Sequence, residues 1–332
     1  MNPIFTTTHA LHDPDTYIYM GWGFFIVFTI LVGLLWRFSK RRWLKYTAAA
    51  PLLFLWMVFL YGTYVGANQF NVRHVELTFD DLPAAFDGYK IVQFSDVHAG
   101  TLTGARRALL VEAIDSINAQ KADLVVFTGD LQNKIPSEIL PVQNLLKSIH
   151  AKDGVCSIIG NHDYPMYFKG NEYEKYDSMN VRAAIDDKLG WQLLVNERRT
   201  IRRGNDRILI AGMDNDGDGV HFPQNGDLQE TLYGITRQDF VVMLEHDPSS
   251  WGRKILTHSH TQLTLSGHTH GGQLSLLGWS PASLKYHEYY GLYNVDGRYL
   301  YVSGGLSGVV PFRFGITPEI TVFTLRKSKA TK

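Results

Sequence analysis

The sequence has little of what several kinds of protein require. One cysteine among 332 residues excludes an internal disulfide and the cysteine-rich kind of zinc site. That residue, Cys156, lies in an apolar stretch over 154–159, where we expect a buried and unreactive thiol. Basic and acidic residues balance at 32 each, so composition gives no reason to expect a nucleic-acid partner. Internal repeats and low-complexity tracts are absent from the sequence as well.

Charge is also absent from two long stretches near the N-terminus. Residues 17–36 and 46–67 carry no charged side chain, and each stretch is long enough to cross the ~30 Å hydrocarbon layer as a helix. Aromatic residues lie near the ends of both stretches, as they do at membrane interfaces. We therefore predict a membrane anchor with two transmembrane helices over residues 1–67 and a globular domain over residues 68–332. The alternative is a pair of buried helices in a soluble core.

A basic segment separates the two apolar stretches. The positive-inside bias predicts that it stays in the cytoplasm, which would put the globular domain on the extracytoplasmic side of a bacterial inner membrane. Residues 39–45 also resemble a twin-arginine export signal, although a solvated basic loop explains the same charges. The basic residues are Arg37, Lys40, Arg41, Arg42 and Lys45.

The globular part first alternates strand and helix patterns. This βαβαβ order predicts a parallel sheet with right-handed crossovers. A helical insertion is expected over 164–189, and the short strands after it, with one over 273–276, predict a second, mixed sheet packed on the first. The early strands are expected over 72–79, 90–95, 123–127 and 155–159, and the early helices over 103–120 and 137–150, the latter capped by Ser137.

Polar side chains follow directly after many of these strands. Ligands of open α/β sheets bind beyond the carboxyl ends of strands, so we expect these side chains to meet. Imidazole, carboxylate and amide groups without a thiolate suit Mn, Fe, Co or Zn. Seven ligands exceed one tetrahedral site but fit two divalent ions ~3.5–4 Å apart if one carboxylate bridges them, with a net positive charge left for an anionic substrate. The seven are Asp96, His98, Asp130, Asn161, His246, His268 and His270.

The order of these motifs resembles the calcineurin-like metallophosphoesterase superfamily, in particular its bacterial exported or membrane-attached phosphodiesterases. Asp-x-His, Gly-Asp, Gly-Asn-His-Asp, a lone His and Gly-His-x-His follow one another within Lys90 to Arg326. The resemblance implies an αββα sandwich that hydrolyses phosphodiesters or phosphomonoesters by attack of a metal-bound hydroxide. It implies a first metal on Asp96, His98 and His270, a second on Asn161, His246 and His268, Asp130 as the bridge, and His162 in contact with the phosphate.

The sequence departs from the superfamily at one position. Asn133 stands where many members have a carboxylate that orients the catalytic histidine. Asp163 either replaces that carboxylate or caps the following turn, so we expect His162 to position the phosphoryl group more than to donate a proton.

The substrate class stays open at this point. A phosphate ester, free or linked to a lipid, is the expected substrate of a membrane-attached member. One alternative is a UDP-2,3-diacylglucosamine-type pyrophosphatase of lipid A synthesis, which would favour a cytoplasmic domain. The other is a non-catalytic scaffold of the same fold, which would be expected to have lost some of the ligands.

Other groups of residues have two interpretations each. Asp214–Gly219 matches the first half of a calcium loop, but an acidic turn is the preferred interpretation. Arginines 198, 199, 202, 203 and 207 indicate a solvated hairpin or contact with lipid head groups. His258 and His260 are interpreted as loop residues. Two aromatic groups either extend the core or wall the substrate cleft: Tyr164, Met166, Tyr167, Phe168, Tyr173 and Tyr176, and then Tyr286, His287, Tyr289, Tyr290 and Tyr293.

Overall fold

The computed structural model of the chain describes residues 15–38, 40, 42–167 and 178–329. Two apolar helices come first, α1 (Asp15–Phe38) and α2 (Arg42–Tyr64). They pack against each other in antiparallel order: the Trp56 indole donates to the Thr29 hydroxyl at 2.8 Å, and Phe25 stacks on Phe59 at 4.6 Å.

The exposure of these helices distinguishes between the two interpretations of the apolar stretches. The most apolar window of α1 is 0% buried and that of α2 is 22% buried. Core helices of a soluble domain bury most of their surface, so that alternative is wrong. Both helices are long and apolar enough to cross a membrane. The predicted domain boundary at residue 67 stays a prediction; α2 ends at Tyr64 and a short turn, Gly66–Asn68, follows it.

The globular part contains two six-stranded sheets. The first has the order β1-β12-β2-β3-β4-β5, with β2, β3, β4 and β5 parallel, as the early βαβαβ pattern predicts. Strand β12 from the end of the chain lies between β1 and β2 and is antiparallel to β2. The strands are β1 (Asn71–Phe79), β2 (Lys90–Phe94), β3 (Leu124–Phe127), β4 (Val155–Ser157), β5 (Gln192–Leu193) and β12 (Glu319–Lys327).

The second sheet is mixed, as predicted, and has the order β10-β11-β9-β8-β7-β6. Strands β7, β8, β9 and β11 are parallel neighbours, while β6 and β10 pair antiparallel at the two edges. The strands are β6 (Glu197–Arg203), β7 (Asp206–Gly212), β8 (Phe240–Leu244), β9 (Leu263–Ser266), β10 (Gly291–Val295) and β11 (Arg298–Val302).

The two sheets pack face to face, with helices on their outer faces. Ile91 and Val126 of the first sheet share a fully buried core with Ile210, Val242 and Leu265 of the second. The outer helices are α3 (Arg107–Ala119), α4 (Gln143–Lys147) and α5 (Ser178–Leu189) on the first sheet, and α6 (Leu228–Thr231) and α7 (Leu256–His258) near the second. This confirms the predicted αββα sandwich.

Several local predictions were wrong or only partly right. The helix expected over 137–150 is a 3₁₀ segment, Pro136–Val142, followed by the short α4, and Ser137 does not cap it. Pro141 lacks the amide hydrogen that a continuous helix needs there. The strand expected over 273–276 is a turn with isolated bridges, and β10 was not predicted. Within the insertion, helix α5 covers Ser178–Leu189, and Phe168, Tyr173 and Tyr176 lie outside the described residues.

Candidate metal centre

The predicted site residues lie at the carboxyl ends of strands from both sheets. Asp96 and His98 follow β2, Asp130 follows β3, and His246 follows β8. Parallel strands direct these ends to one edge of their sheet, and the face-to-face packing brings the two edges together. The remaining members of the set follow β4 or β9: Asn161, His162, His268 and His270. All eight are buried or nearly so.

Three residues form what we call the first half-site: Asp96, His98 and His270. The Nε2 atoms of the two imidazoles are 3.3 Å apart. The Oδ1 atom of Asp96 is 4.0 Å from Nε2 of His98 and 3.7 Å from Nε2 of His270. Three potential ligand atoms on buried side chains therefore lie within 4.8 Å of one another.

Three more residues form the second half-site: Asn161, His246 and His268. The amide oxygen of Asn161 lies 3.2 Å from Nε2 of His246 and 2.6 Å from Nδ1 of His268. The Oδ2 atom of Asp130 lies 3.1 Å from Nε2 of His246 and 3.6 Å from Nε2 of His98. One carboxylate oxygen thus lies between the two half-sites.

The backbone at this site is unusually strained. Non-glycine residues with positive φ are uncommon and cost about 1–3 kcal/mol each. The φ angles of Asp96, His98, Asp130, His268 and His270 are 53°, 42°, 62°, 72° and 52°. Such strain is kept where a function needs the side chains to turn sharply inward from the ends of strands.

Close backbone approach completes the geometry. Gly129 has a φ of 95°, and a Cβ atom there would lie 2.6 Å from Nδ1 of His246 and 2.8 Å from the amide nitrogen of Gly160. Only glycine fits between these groups. In the same loop, the amide of Asp96 donates to the Gly129 carbonyl at 3.0 Å, which ties the loops after β2 and β3 together.

Burial keeps most of the imidazoles neutral. It lowers the pKa of His98 to about 3 and that of His268 to about 4, and holds the pKa of His270 well below its usual range. Neutral imidazoles present lone pairs. Lone pairs brought together on buried side chains suit a cation.

The two carboxylates behave differently from each other. Burial raises the pKa of Asp96 to about 7, with the charge of Asp130 adding to the effect. Burial also opposes ionisation of Asp130, but His246 and His162 hold its pKa well below the usual range. For His246, the carboxylates of Asp130 and Asp96 outweigh burial and raise the pKa to about 10. The set of imidazoles, carboxylates and an amide, without a thiolate, fits divalent ions of borderline-to-hard character.

His162 lies beside both half-sites, and one ligand atom of its ring lies within 4.8 Å of ligand atoms of His98 and Asp130. Its amide donates to Oδ1 of Asp130 at 2.8 Å, and its Nδ1 atom donates to the main-chain carbonyl of Asn133 at 2.6 Å. Its ring stacks on Tyr167 with centroids 3.9 Å apart. The main chain at Asn133 therefore orients the imidazole, in the place where a carboxylate side chain was considered.

Asp163 does not take over that orienting role. Its carboxylate accepts from the amides of Asp130, Leu131 and Gly160 at 3.1, 3.0 and 3.0 Å. It also forms a buried ion pair with Arg182 at 2.7 Å. Of the two expected roles, capping is the one that these contacts match: Asp163 joins the loops that follow β3 and β4.

Some residues near the site were not singled out from the sequence, and others turned out to lie elsewhere. Buried Arg313 donates to the carbonyl of His270 at 3.0 Å; a lone arginine far along the chain gives no local signal. Tyr167 and Tyr286 do wall the site, the latter with its hydroxyl 2.7 Å from Nε2 of His268. In contrast, the hydroxyl of Tyr290 donates a hydrogen bond to Glu319, and the ring of His260 contacts the carbonyl of Asp239.

The acidic turn and the arginine hairpin have structural partners. Asp216 pairs with Arg253 at 3.0 Å and with Lys254 at 2.7 Å, contacts that favour the turn over a calcium loop. Arg203 of the β6–β7 hairpin pairs with Asp123 at 2.7 Å, as expected of a hairpin on the domain surface. Contact of these arginines with lipid stays a prediction.

Comparison with known proteins gives the family. The model of the calcineurin-like phosphoesterase family matches residues 89–272, which include every residue of both half-sites. The chain belongs to the calcineurin-like phosphoesterase family. This confirms the predicted superfamily and makes the chain a metallophosphoesterase, a hydrolase of phosphoric esters. The family's divalent-metal chemistry agrees with the cluster of ligand atoms.

Curated relatives extend the comparison beyond the catalytic domain. The chain is 31% identical over 308 residues to the uncharacterized metallophosphoesterase YkuE of Bacillus subtilis, covering 88% of this chain and 99% of YkuE. It is 27% identical over 292 residues to a Bos taurus transmembrane protein with metallophosphoesterase domain, covering 87% of this chain and 64% of that protein. It is 26% identical over 326 residues to the UDP-2,3-diacylglucosamine pyrophosphatase LpxG of Chlamydia trachomatis, covering 82% and 93%. The transmembrane relative and the two apolar helices together indicate membrane association.

Proposed function

We propose that this phosphoesterase uses two divalent cations, among Mn, Fe, Zn and Co, to hydrolyse phosphodiesters or phosphomonoesters at a membrane surface. The observation that carries the proposal is the position of Asp130. Its Oδ2 atom is 3.1 Å from His246 and 3.6 Å from His98, which belong to different half-sites. A carboxylate so placed is suited to bridge two ions.

Each half-site supplies the ligands of one ion in this proposal. The first would be held by Asp96, His98 and His270 and the second by Asn161, His246 and His268, with Asp130 shared. When bound, two such ions activate water near neutral pH and neutralise charge on the phosphate. The neutral imidazoles of His98, His268 and His270 add no negative charge, so two divalent ions would keep a net positive charge beyond the two carboxylates for an anionic substrate.

His162 would act on the phosphate directly. Because Nδ1 donates to the Asn133 carbonyl, Nε2 is the ring nitrogen left for the substrate. Stacking on Tyr167 restricts rotation of the ring. With Nε2 protonated as well, the imidazolium would donate to a phosphate oxygen and stabilise charge on the leaving group through electrostatics.

Elemental analysis together with hydrolysis of bis-p-nitrophenyl phosphate and p-nitrophenyl phosphate tests the proposal. Purified wild type should contain about two divalent ions per chain, and Asp130→Asn should lose both metal and activity. Asp187→Asn, an exposed carboxyl change on α5, is the matched control and should retain both. Wild type that holds one ion at full activity would contradict the two-metal proposal. Wild type that holds metal without hydrolysing any ester would instead favour the non-catalytic scaffold.

A second candidate is a pyrophosphatase acting on a lipid-linked nucleotide sugar. The similarity to LpxG supports it, since that relative is named for the hydrolysis of UDP-2,3-diacylglucosamine. The two candidates differ in the bond that is cleaved. Release of UMP from this compound, with no turnover of simple phosphodiesters, would favour the pyrophosphatase.

We also propose that the catalytic domain faces the extracytoplasmic side of a bacterial inner membrane. The support is the cluster of basic residues between the two apolar helices, which the positive-inside bias would retain in the cytoplasm. Protease added to spheroplasts should degrade the domain. Complete protection of the domain, with a periplasmic control protein degraded, would show the opposite orientation.

A further inference from the structure

An exposed apolar segment runs between the candidate metal centre and the end of α2. We call residues 274–284 the apolar loop. It starts just after Gln273, three positions beyond His270. It ends two positions before Tyr286, whose hydroxyl lies 2.7 Å from Nε2 of His268. Both ends of the loop are therefore attached to the metal centre.

The tip of the apolar loop exposes a leucine in a strained conformation. Leu276 and Trp279 exchange two main-chain hydrogen bonds, of 2.9 and 3.0 Å, around Leu277 and Gly278. The φ angles of these two central residues are 51° and 83°, as in the hairpin turn that favours Asn-Gly. Leu277 is 101% exposed. Neither packing nor turn geometry among the described residues explains a leucine there, and an apolar side chain this exposed marks a site of interaction.

The rest of the loop continues this apolar surface. Leu284 is 79% exposed and Trp279 is 51% exposed. Val220 is 92% exposed, and two positions further along the chain the ring of Phe222 lies edge-on to His268 with centroids 5.1 Å apart. Exposed apolar side chains therefore also occur in the segment that contacts His268. Exposed apolar surface on this scale marks a site of interaction with a membrane or a partner.

The loop lies next to the membrane anchor. The amide of Ser275 donates to the carbonyl of Phe314 at 2.7 Å, and the ring of Phe314 lies edge-on to Tyr61 with centroids 5.7 Å apart. The amide of Arg313 donates to the carbonyl of Gly62 at 2.9 Å. Tyr61 and Gly62 belong to the last turn of α2, where its apolar stretch ends. The start of the apolar loop is therefore linked through Phe314 to the last turn of α2.

The same contacts fix the metal centre relative to the anchor. A Cβ atom at Gly62 would overlap the ring of Phe312, so the segment around residue 313 packs directly on α2. From there the Arg313 guanidinium reaches the carbonyl of His270 at 3.0 Å and also that of Ser307. Arg313 therefore contacts both the end of α2 and His270 of the first half-site. An ester group at the bilayer surface would meet the metal centre without leaving the interface.

We propose that the apolar loop inserts into the bilayer that anchors α1 and α2, and that the substrate is a phosphate ester carried on a lipid of that bilayer. The substrate part rests on the proposed function. Hydrolysis of such a diester adds one water: an oxygen–phosphorus bond forms, a phosphorus–oxygen ester bond breaks, and an alcohol and a phosphomonoester are released. Lys285, whose Nζ atom lies 4.1 Å from the ring centroid of Phe222, is a cation at the edge of the same surface.

Fluorescence quenching tests insertion of the loop. The full chain is reconstituted in vesicles of phosphatidylethanolamine and phosphatidylglycerol after a nitrobenzoxadiazole label is attached to Leu277→Cys. The native Cys156 is buried, so the label reacts at the new thiol. Lipids brominated in their acyl chains should quench the label strongly. The control is Tyr233→Cys, an aromatic position 74% exposed beyond α6. Equal, weak quenching at both positions would overturn insertion.

A matched pair of substrates tests the lipid part. Methyl p-nitrophenyl phosphate and hexadecyl p-nitrophenyl phosphate share the bond that breaks and differ only in the chain. The double variant Leu277→Asp/Leu284→Asp should lower kcat/KM for the hexadecyl ester in vesicles by about tenfold or more, and for the methyl ester by less than about twofold. Tyr233→Asp should change neither value.

The outcomes separate the two levels of the proposal. Equal losses on both esters would mean that the loop is merely structural, and this would overturn the inference. Wild type that does not prefer the hexadecyl ester would overturn the lipid substrate. Metal-loaded wild type that hydrolyses neither ester would overturn the proposed function and the lipid substrate with it, while the quenching result would still decide whether the loop enters the bilayer.

Discussion

The Nδ1 atom of His162 lies 2.6 Å from the main-chain carbonyl oxygen of Asn133. A carbonyl oxygen only accepts hydrogen bonds, so Nδ1 carries a proton and Nε2 is free to face the substrate. In this chain the main chain does the orienting for which other family members were expected to use a carboxylate. The side chain at position 133 is therefore dispensable for that purpose, which leads to the first prediction.

Substitutions at these two positions should have very different effects on turnover. We expect His162→Asn to lower kcat by about 10²–10⁴, the range typical of a lost acid, base or electrostatic group. Asn133→Ala keeps the carbonyl and should change kcat by less than about threefold. Steady-state hydrolysis of bis-p-nitrophenyl phosphate measures both. Similar large losses in the two variants would show that the Asn133 side chain matters. A basic limb of the pH profile abolished by His162→Asn would show that His162 does donate a proton.

The buried pair of Asp163 and Arg182 should dominate stability near the site. Asp163→Ala removes an acceptor from loop amides and leaves the Arg182 guanidinium buried without its closest partner. Breaking a buried pair in this way costs about 3–5 kcal/mol. Urea unfolding of the chain in detergent measures the loss. Asp187 is exposed on α5, the helix that carries Arg182, and the free energy of unfolding of Asp187→Ala should stay within about 0.5 kcal/mol of wild type. A loss of that small size in Asp163→Ala as well would contradict the prediction.

Asp123 should make stability depend on acid pH. Burial opposes its ionisation, but the amide of Lys90 and the side chains of Arg203 and Lys152 outweigh this and lower its pKa below the ordinary value of an aspartate. A native pKa below the unfolded value of about 3.9 stabilises the fold above that pH, and the contribution is lost as the pH falls through the native pKa. The destabilisation of Asp123→Asn should therefore be full near pH 6 and shrink below about pH 4.

A matched comparison checks the source of that pH dependence. Asp115→Asn changes an exposed carboxyl on α3, and its free energy of unfolding should equal that of wild type at every pH. Thermal unfolding across the acid range gives the free energy of unfolding for each variant. A gap between Asp123→Asn and wild type that stays constant from pH 6 to pH 3 would rule out a titrating carboxylate.

Removal of metal should destabilise the chain through the two half-sites. A ligand at a hundred times its Kd stabilises the native state by about 2.7 kcal/mol, so chelation should lower Tm by several degrees and added Mn or Zn should restore it. Asp216→Ala should show the same chelator response, because Asp216 is paired with Arg253 and Lys254. A response lost in Asp216→Ala would show that the acidic turn holds a cation. Calcium that raises Tm in wild type but not in this variant would show the same.

The sequence alone was sufficient wherever the signal is local. A long stretch without charged side chains favours an apolar environment by its own composition. Two helices were therefore predicted near 17–36 and 46–67, and they are present as α1 and α2. An Asp, Asn or His directly after a strand indicates the edge of the sheet where ligands bind, because parallel strands align their carboxyl ends. The seven ligand candidates could therefore be named before any contact was known, His162 was added by the family resemblance, and the structure brings all eight together.

Other features depend on contacts between distant parts of the chain, and only the tertiary structure decided them. Strand β12 inserts between β1 and β2, more than two hundred positions away in sequence. The main-chain carbonyl of Asn133 orients His162, and main-chain atoms carry no side-chain signature in a sequence. The apolar loop lies beside α2 only because the segment around Phe314 joins the two. Side-chain chemistry and the spacing of apolar residues are properties of short segments, and side-chain chemistry determines which groups can bind metal. Which of those groups meet one another, and which face the membrane, depends on packing across the whole fold.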